Sequence, residues 1–158
     1  MLLVIVSTIA VNFFMSSDKP KVFFVYTQKE IIPDLAFKIS AIPLAFASLL
    51  KYRKNAFLVT PATIQSVEDG FNKGVYMIVG THGGKGFIYP DNGVVGPSEK
   101  VNMKMKHIYF GSCETGQLRD RWEQKFPNAK VTAFEGITYP FSGWKYLFLD
   151  SVSDIFSL

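Results

Sequence analysis

Short apolar runs alternate with longer mixed segments along the chain after residue 20, and each run has the length of a strand. The runs are rich in β-branched and aromatic residues and are not interrupted by regularly spaced polar positions, which is the pattern of strands covered on both faces. They are KVFFVYT (21–27), NAFLVT (55–60), GVYMIVGT (74–81), KHIYFGS (106–112) and KVTAFEG (130–136).

Segments with helical periodicity separate or follow these strands. They lie at 34–51, 63–72, 114–126 and 142–156. Repeated strand-then-helix units predict an α/β fold, a single domain in which an open, mainly parallel sheet carries helices on both faces. One stretch breaks the alternation, because two short apolar pieces flank the turn-forming residues PDNG at 90–93. This stretch predicts a small β-hairpin after His82, near the carboxyl edge of the sheet.

The first fifteen residues, MLLVIVSTIAVNFFM, are almost wholly apolar. As a helix of about 22 Å they fall short of the roughly 30 Å hydrocarbon core of a bilayer, and no basic side chain precedes them as in a secretory signal. Residues 1–17 are therefore predicted to be a signal, an anchor or a docked element, and residues 18–158 the α/β domain. A signal or anchor favours a membrane-associated or secreted protein, whereas a docked element allows a cytoplasmic one.

Composition narrows the classes of function. Apolar residues make up 48% of the chain and aromatic residues 15%, which predicts a packed core. The lysines behind the net charge of +4 are scattered singly, a distribution that does not favour nucleic-acid binding. One cysteine cannot form an internal disulfide, and with two separated histidines it does not make a zinc site. We expect no metal or other cofactor.

Two predicted strands end in residues that can carry covalent chemistry. The strand at 74–81 runs into His82 and Gly83, and the strand at 106–112 runs into Cys113. If these strands are neighbours in a parallel sheet, about 4.8 Å apart, the imidazole and the thiol emerge at the same edge. An adjacent imidazole raises the thiolate fraction of a thiol, whose unperturbed pKa is about 8.5, and then returns the proton to a leaving group.

The backbone around these two residues suits the same chemistry. Glycine allows close approach to a carbonyl group, so the amides of Gly83 and Cys113 are predicted to form an oxyanion hole. Cys113 also precedes a predicted helix, whose N-terminal amides favour negative charge.

Each of these residues also has an ordinary structural reading. A lone cysteine usually behaves as a small buried hydrophobe, and His82 can be a hydrogen-bonded turn residue. The glycine-rich stretch 80–86 allows a flavodoxin-like domain that binds a nucleotide or flavin, although it lacks the G-x-x-x-x-G-K-[ST] spacing of a phosphate-binding loop. The joint placement of His82-Gly83 and Cys113 at two strand ends favours the catalytic reading.

The order of these motifs resembles the caspase-like (clan CD) cysteine peptidases. An apolar strand followed by His82-Gly83, then a second followed by GSCETG at 111–116, is similar to that family, and the cysteine motif is most similar to its CHAT branch. The resemblance implies a caspase-haemoglobinase fold, with Cys113 as the nucleophile, His82 as the general base and acid, and Gly83 as an oxyanion donor. It also implies that the substrate is a peptide or protein.

Specificity and partners follow from the same resemblance. Some relatives that cleave after basic residues carry an acidic residue two positions before the cysteine. Here that position is Gly111, so the motif does not support this specificity. Asp91, Glu114 and Glu135 are candidates for a pocket acid, and each can equally be a surface carboxylate. The sequence predicts a cysteine endopeptidase, with a non-catalytic caspase-like module that binds a peptide or protein as the alternative. A membrane is a further expected partner, through residues 1–15.

Overall fold

The computed structural model describes residues 21–28, 41–42, 47–48, 50–51, 57–98, 102–137, 153 and 156–157. Its elements follow one another as strand and helix, with one hairpin in the middle. They are β1 (Val22–Tyr26), β2 (Phe57–Pro61), α1 (Ile64–Lys73), β3 (Tyr76–Gly80), β4 (His82–Gly84), β5 (Phe87–Tyr89), β6 (His107–Phe110), a 3-10 helix (Thr115–Leu118), α2 (Arg119–Lys125) and β7 (Lys130–Thr132).

Five of the strands form one sheet in the order β2-β1-β3-β6-β7. Every pair in it is parallel. The pairing of β3 with β6 is in register from Tyr76 opposite His107 to Val79 opposite Phe110. The chain therefore has an α/β architecture with a parallel sheet, as its apolar runs predict, and all five carboxyl ends lie along one edge.

Both faces of this sheet are buried, which explains why the strands read as uninterrupted apolar runs. Every residue of β1 and β3 is buried, including those whose side chains point to opposite faces of the sheet. The face that carries Phe23, Met77 and Phe110 packs against α1 and α2, where Phe71 and Trp122 complete an aromatic cluster. Helices α1 and α2 thus lie on the same face. The predicted helices at 34–51 and 142–156 fall largely outside the described residues, although the positions described within them, 41–42, 47–48, 50–51, 153 and 156, are helical.

Helix α1 begins where its capping groups dictate. The hydroxyl of Thr63 accepts from the amide of Ser66 at 3.1 Å, and the hydroxyl of Ser66 accepts from the amide of Thr63 at 2.9 Å. This reciprocal pair satisfies two amides at the start of a helix. The side chain of Asn92 accepts from the next amide, Ile64, at 2.7 Å, so the turn at 90–93 is fixed to the start of α1.

The hairpin differs from its prediction. Strands β4 and β5 pair as an antiparallel hairpin that includes His82 itself, and its two-residue turn is Lys85-Gly86. Both turn residues have positive φ, 52° and 85°, as a type I′ turn requires. The expected turn at 90–93 exists as well, but it joins only a single bridge between Ile88 and Val95. The sequence pattern at 90–93 therefore predicted the second of two consecutive turns and missed the first, at Lys85-Gly86.

The third predicted helix, at 114–126, is broken into two parts. It starts as the 3-10 helix Thr115–Leu118 and becomes α-helical only at Arg119. The predicted apolar element 1–17 lies outside the described residues. No helix within the described ranges has both the length and the apolar character needed to cross a bilayer.

The phenol of Tyr109 makes stability depend on pH above 10. Burial on the sheet, next to the ring of Phe134, raises the pKa of Tyr109 from 10.0 to about 12. Because the unfolded chain loses this proton first, stability is full below pH 10 and falls between pH 10 and about 12, by about 3 kcal/mol in total. We expect Tyr109→Phe to remove this part of the alkaline loss, measured by urea unfolding across that range. An identical alkaline loss in wild type and variant would contradict this prediction.

Candidate functional site

The residues that follow β3 and β6 meet at the carboxyl edge of the sheet. The amide of Gly111 donates to the carbonyl of Val79 at 2.8 Å, which continues the ladder one residue beyond β6. One step further, the hydroxyls of Thr81 and Ser112 lie 3.0 Å apart in a buried hydrogen bond. The condition that these two strands are neighbours in a parallel sheet is met. His82 and Cys113 each come directly after one member of this hydroxyl pair.

A short chain of hydroxyl groups fixes the backbone at this point. The hydroxyl of Thr81 donates to the carbonyl of His82 at 2.9 Å, and the hydroxyl of Thr115 donates to the carbonyl of Ser112 at 3.0 Å. Since Thr81 has one hydroxyl proton, Ser112 must be the donor in the bond between their oxygens. The backbones on either side of the site are thus held by buried side chains whose donors are all used.

His82 begins strand β4 and is exposed. In the hairpin it lies directly opposite Tyr89, and Phe87 is two residues from Tyr89 on the same strand. Opposite residues of an antiparallel pair share a face, and Phe87 and Tyr89 are each 37% exposed whereas Ile88 between them is buried. The Cβ of His82 therefore starts on the outward face of the hairpin, the face that Phe87 and Tyr89 share.

Gly83 lies on the inward face of the hairpin, against the cysteine loop. A Cβ at this position would lie 2.5 Å from the carbonyl oxygen of Cys113 and 2.9 Å from the Cβ of Ser112. Only glycine allows two backbones to approach this closely. The amide and carbonyl of Ile88, opposite Gly83, both bond to Val95. The amide of Gly83 is therefore directed away from β5, outside the hydrogen bonds of the hairpin.

Cys113 is half-buried and lies in a turn rather than at the start of a helix. The 3-10 helix begins two residues later at Thr115, and α2 begins at Arg119. The expectation that Cys113 lies at the N-terminus of an α-helix is therefore wrong. The 3-10 helix Thr115–Leu118 separates the thiol from the start of α2, whose amides were expected to stabilise a thiolate. The backbone that surrounds the sulfur is set by loop contacts instead.

Glu114 makes most of these loop contacts. Its carboxylate accepts from the amide of Lys85 at 3.0 Å, and its carbonyl accepts from the amide of Gly86 at 3.0 Å. Its own amide donates to the carbonyl of Gly136, after β7, at 2.9 Å. Its φ of 55° is the left-handed conformation that directs these groups to both sides. Glu114 thus joins the tip of the β4-β5 hairpin, the cysteine loop and the loop after β7.

A second connection holds the hairpin tip to α2. The indole of Trp122 donates to the carbonyl of Gly86 at 3.0 Å in a buried hydrogen bond. The side chain of Leu118 occupies the space that a Cβ on Gly86 would need. The turn that carries β4, and with it His82, is therefore anchored to the same core as β6.

The three candidate pocket acids have different surroundings. The carboxylate of Asp91 accepts from the hydroxyl of Thr27 at 2.7 Å and from the amide of Gln28 at 3.1 Å, so it ties the turn at 90–93 to the end of β1. The carboxylate of Glu114 is used at the hairpin tip. Glu135 is exposed on the loop after β7. Of the three, Asp91 and Glu114 have structural bonds that the sequence did not reveal.

Comparison with known proteins adds no further identification. No family model matches the chain, and neither the curated proteins nor the solved structures contain a match. Within the described residues, no three His, Cys, Asp or Glu side chains are grouped in a way that could hold a metal ion.

We expect Gly83→Ala to separate the hairpin from the cysteine loop. The added methyl group meets backbone atoms that cannot rotate away, so the protein should lose about 2 kcal/mol of stability or shift the hairpin. Gly136→Ala is the matched control, because nothing lies within 4 Å of a Cβ at Gly136. Thermal unfolding measures the difference, and equal melting temperatures for the two variants would contradict the close approach of Gly83 to Cys113.

We expect Glu114→Ala to loosen the hairpin tip and Glu114→Gln to preserve it. Alanine removes the acceptor of the Lys85 amide, whereas the glutamine oxygen can still accept from it. A loss of about 1 kcal/mol in local stability corresponds to roughly fivefold faster hydrogen exchange at the Lys85 amide in the alanine variant. Exchange at this amide that is equally slow in wild type and Glu114→Ala would show that the carboxylate does not hold the tip.

Proposed function

We propose that this chain is a caspase-like cysteine peptidase domain in which Cys113 is the nucleophile and His82 transfers the proton. The observation that carries the proposal is the meeting of two loops at one sheet edge, joined by the Thr81–Ser112 hydrogen bond and by the contact of Gly83 with Cys113. The parallel order of β3 and β6 supports the single-domain, caspase-haemoglobinase architecture that the sequence motifs imply.

The proposed reaction has two covalent steps. The imidazole of His82 takes the thiol proton, and the sulfur of Cys113 bonds to the carbonyl carbon of a peptide. The negative charge that develops on the carbonyl oxygen is stabilised by the amides of Gly83 and Cys113. The C–N bond then breaks as the imidazole gives its proton to the departing amine. Water attacks the resulting thioester, which releases the carboxylic acid and restores the thiol.

The proposal places one geometric demand on the hairpin. Since His82 begins on the outward face and Gly83 meets the cysteine loop on the inward face, the imidazole must turn across the edge of β4 to reach the sulfur. The hydrogen bonds of Glu114 and Trp122 support such an arrangement because they fix the Lys85-Gly86 turn into which β4 runs. Proton transfer then depends on one side-chain torsion in a rigid frame rather than on movement of a loop.

The outward hairpin face supports a peptide or protein as the substrate. Phe87 and Tyr89 share the outward face of the hairpin with His82, and each is 37% exposed. Exposed aromatic rings give contact area to a bound peptide at low cost in side-chain entropy. The same observation supports the second candidate, a caspase-like module that holds a peptide without cutting it, because the aromatic face does not require a reactive thiol.

We expect a peptide carrying a thiol-directed electrophile to label Cys113 in the folded protein. His82→Ala should slow labelling by about a hundredfold or more, since it removes the general base. Lys85→Gln is the control, because it removes a charge from the same hairpin and leaves the imidazole in place. Mass spectrometry of the labelled protein gives both the site and the rate, and Cys113→Ala should abolish the product.

Two results would decide against catalysis. Absence of labelling at Cys113, in a protein that circular dichroism shows to be folded, would contradict the role of Cys113 as the nucleophile. Equal labelling rates for wild type and His82→Ala would contradict the role of the imidazole. If a peptide still binds to a folded protein whose Cys113 is not labelled, the non-catalytic module is the function that the site supports.

A further inference from the structure

The amino ends of the strands carry a row of lysines on the edge opposite the candidate site. The amide of Val75 donates to the carbonyl of Lys21 at 2.7 Å, and the amide of Lys106 donates to the carbonyl of Val75 at 2.7 Å. The amide of Lys130 donates in turn to the carbonyl of Lys106 at 2.9 Å. Lys21 and Lys106 therefore lie level with Val75, just before the paired residues of β1, β3 and β6. Lys130 pairs with His107, one residue further along, so it lies at the same edge on the other face of the sheet. All three lysines are exposed.

A fourth lysine extends the row through the turn before β6. The amide of Lys104 donates to the side chain of Asn102 at 2.8 Å, and the side chain of Asn128 donates to the carbonyl of Met103 at 3.1 Å. These bonds hold the turn beside the start of β7. Lys104 is exposed, and its neighbour Met103 exposes 58% of its surface. We call Lys21, Lys104, Lys106 and Lys130 the lysine edge.

Acidic residues are distributed differently from these lysines. The described segments 73–76, 102–107 and 126–131, which line the lysine edge, contain no acidic residue. In α1, Asp69 is paired with Lys73 at 2.8 Å. The opposite, carboxyl edge carries the three carboxylates already described as pocket candidates. Among the described residues, the carboxylates of Asp91, Glu114 and Glu135 thus lie at the edge opposite the lysine edge.

The apolar start of the sequence joins the domain at the lysine edge. Lys21 directly precedes β1, and the apolar run ends at Met15. Six residue steps reach at most about 20 Å. The apolar run is thus tethered close to the one edge on which lysines, and the exposed Met103, are concentrated.

We propose that the lysine edge docks on an anionic membrane surface, beside the point where the apolar run of residues 1–15 joins the described domain. A lysine near an anionic lipid surface strengthens binding about fivefold, and the effect falls off within a Debye length of about 8 Å. The apolar run is too short to span a bilayer comfortably, so a second, electrostatic contact is the kind of addition that makes a weak anchor stable.

Docking of this edge fixes the orientation of the domain. Because the strands run from the lysine edge to the carboxyl edge, His82 and Cys113 would face the aqueous phase, away from the lipid. This inference stands apart from the peptidase proposal, since it concerns the other edge and holds whether or not Cys113 reacts.

Co-sedimentation of the full chain with lipid vesicles tests this proposal. Vesicles of phosphatidylcholine with phosphatidylserine should bind more tightly than vesicles of phosphatidylcholine alone, and added salt should reduce the difference. The double variant Lys106→Gln with Lys130→Gln should weaken binding to the anionic vesicles by roughly 30-fold. The control pair, Lys85→Gln with Arg121→Gln, makes the same change in net charge away from this edge and should keep nearly wild-type binding.

Several outcomes would overturn the proposal. They are equal binding to both kinds of vesicle, equal losses in the two double variants, and no binding to either vesicle. Tighter binding of a single-stranded RNA oligonucleotide than of anionic vesicles would assign the lysine edge to nucleic acid instead. All four substitutions replace exposed side chains, so circular dichroism should show folded protein in each case.

Discussion

The parallel pairing of β3 with β6 is the constraint on which the rest of the structure depends. Two strands separated by the hairpin and its following turn are brought side by side, in register, and their carboxyl ends release Thr81-His82 and Ser112-Cys113 at the same height. The pairing alone would leave two adjacent loops free to diverge. The close contact at Gly83 and the bonds of Glu114 prevent this, because they tie the hairpin to the cysteine loop on both sides of the junction.

The sequence predicted those features of the fold that follow from burial. Strands covered on both faces must be continuous apolar runs, so the positions of these runs in the sequence located β1, β3 and β6 closely. The meeting of His82 and Cys113 loops at one edge followed from the parallel order of the strands. The turn at Lys85-Gly86 was not predicted, since GGKG is equally typical of an open loop, and its hairpin geometry depends on anchoring by Trp122 and Glu114.

Long-range hydrogen bonds account for most of what the sequence could not reveal. Asp91 and Glu114 look like surface carboxylates in the sequence, and only the fold brings the end of β1 to one and the hairpin tip to the other. The start of α2, at Arg119, is later than the predicted start at 114 for a related reason. The left-handed backbone of Glu114, which serves the hairpin, delays regular helix until Arg119. Local propensity gave the type of element correctly, and the loop contacts set its boundary.

The central claim is that this frame holds an imidazole and a thiol close enough to exchange a proton. A crystal structure of the chain, with the distance measured from the nearer ring nitrogen of His82 to the sulfur of Cys113, tests it most directly. The account predicts a separation of about 4 to 6 Å, the loose geometry of an unliganded pair of this kind. A ring that stays on the outward face of the hairpin, with the backbone of β4 between it and the sulfur, would contradict it.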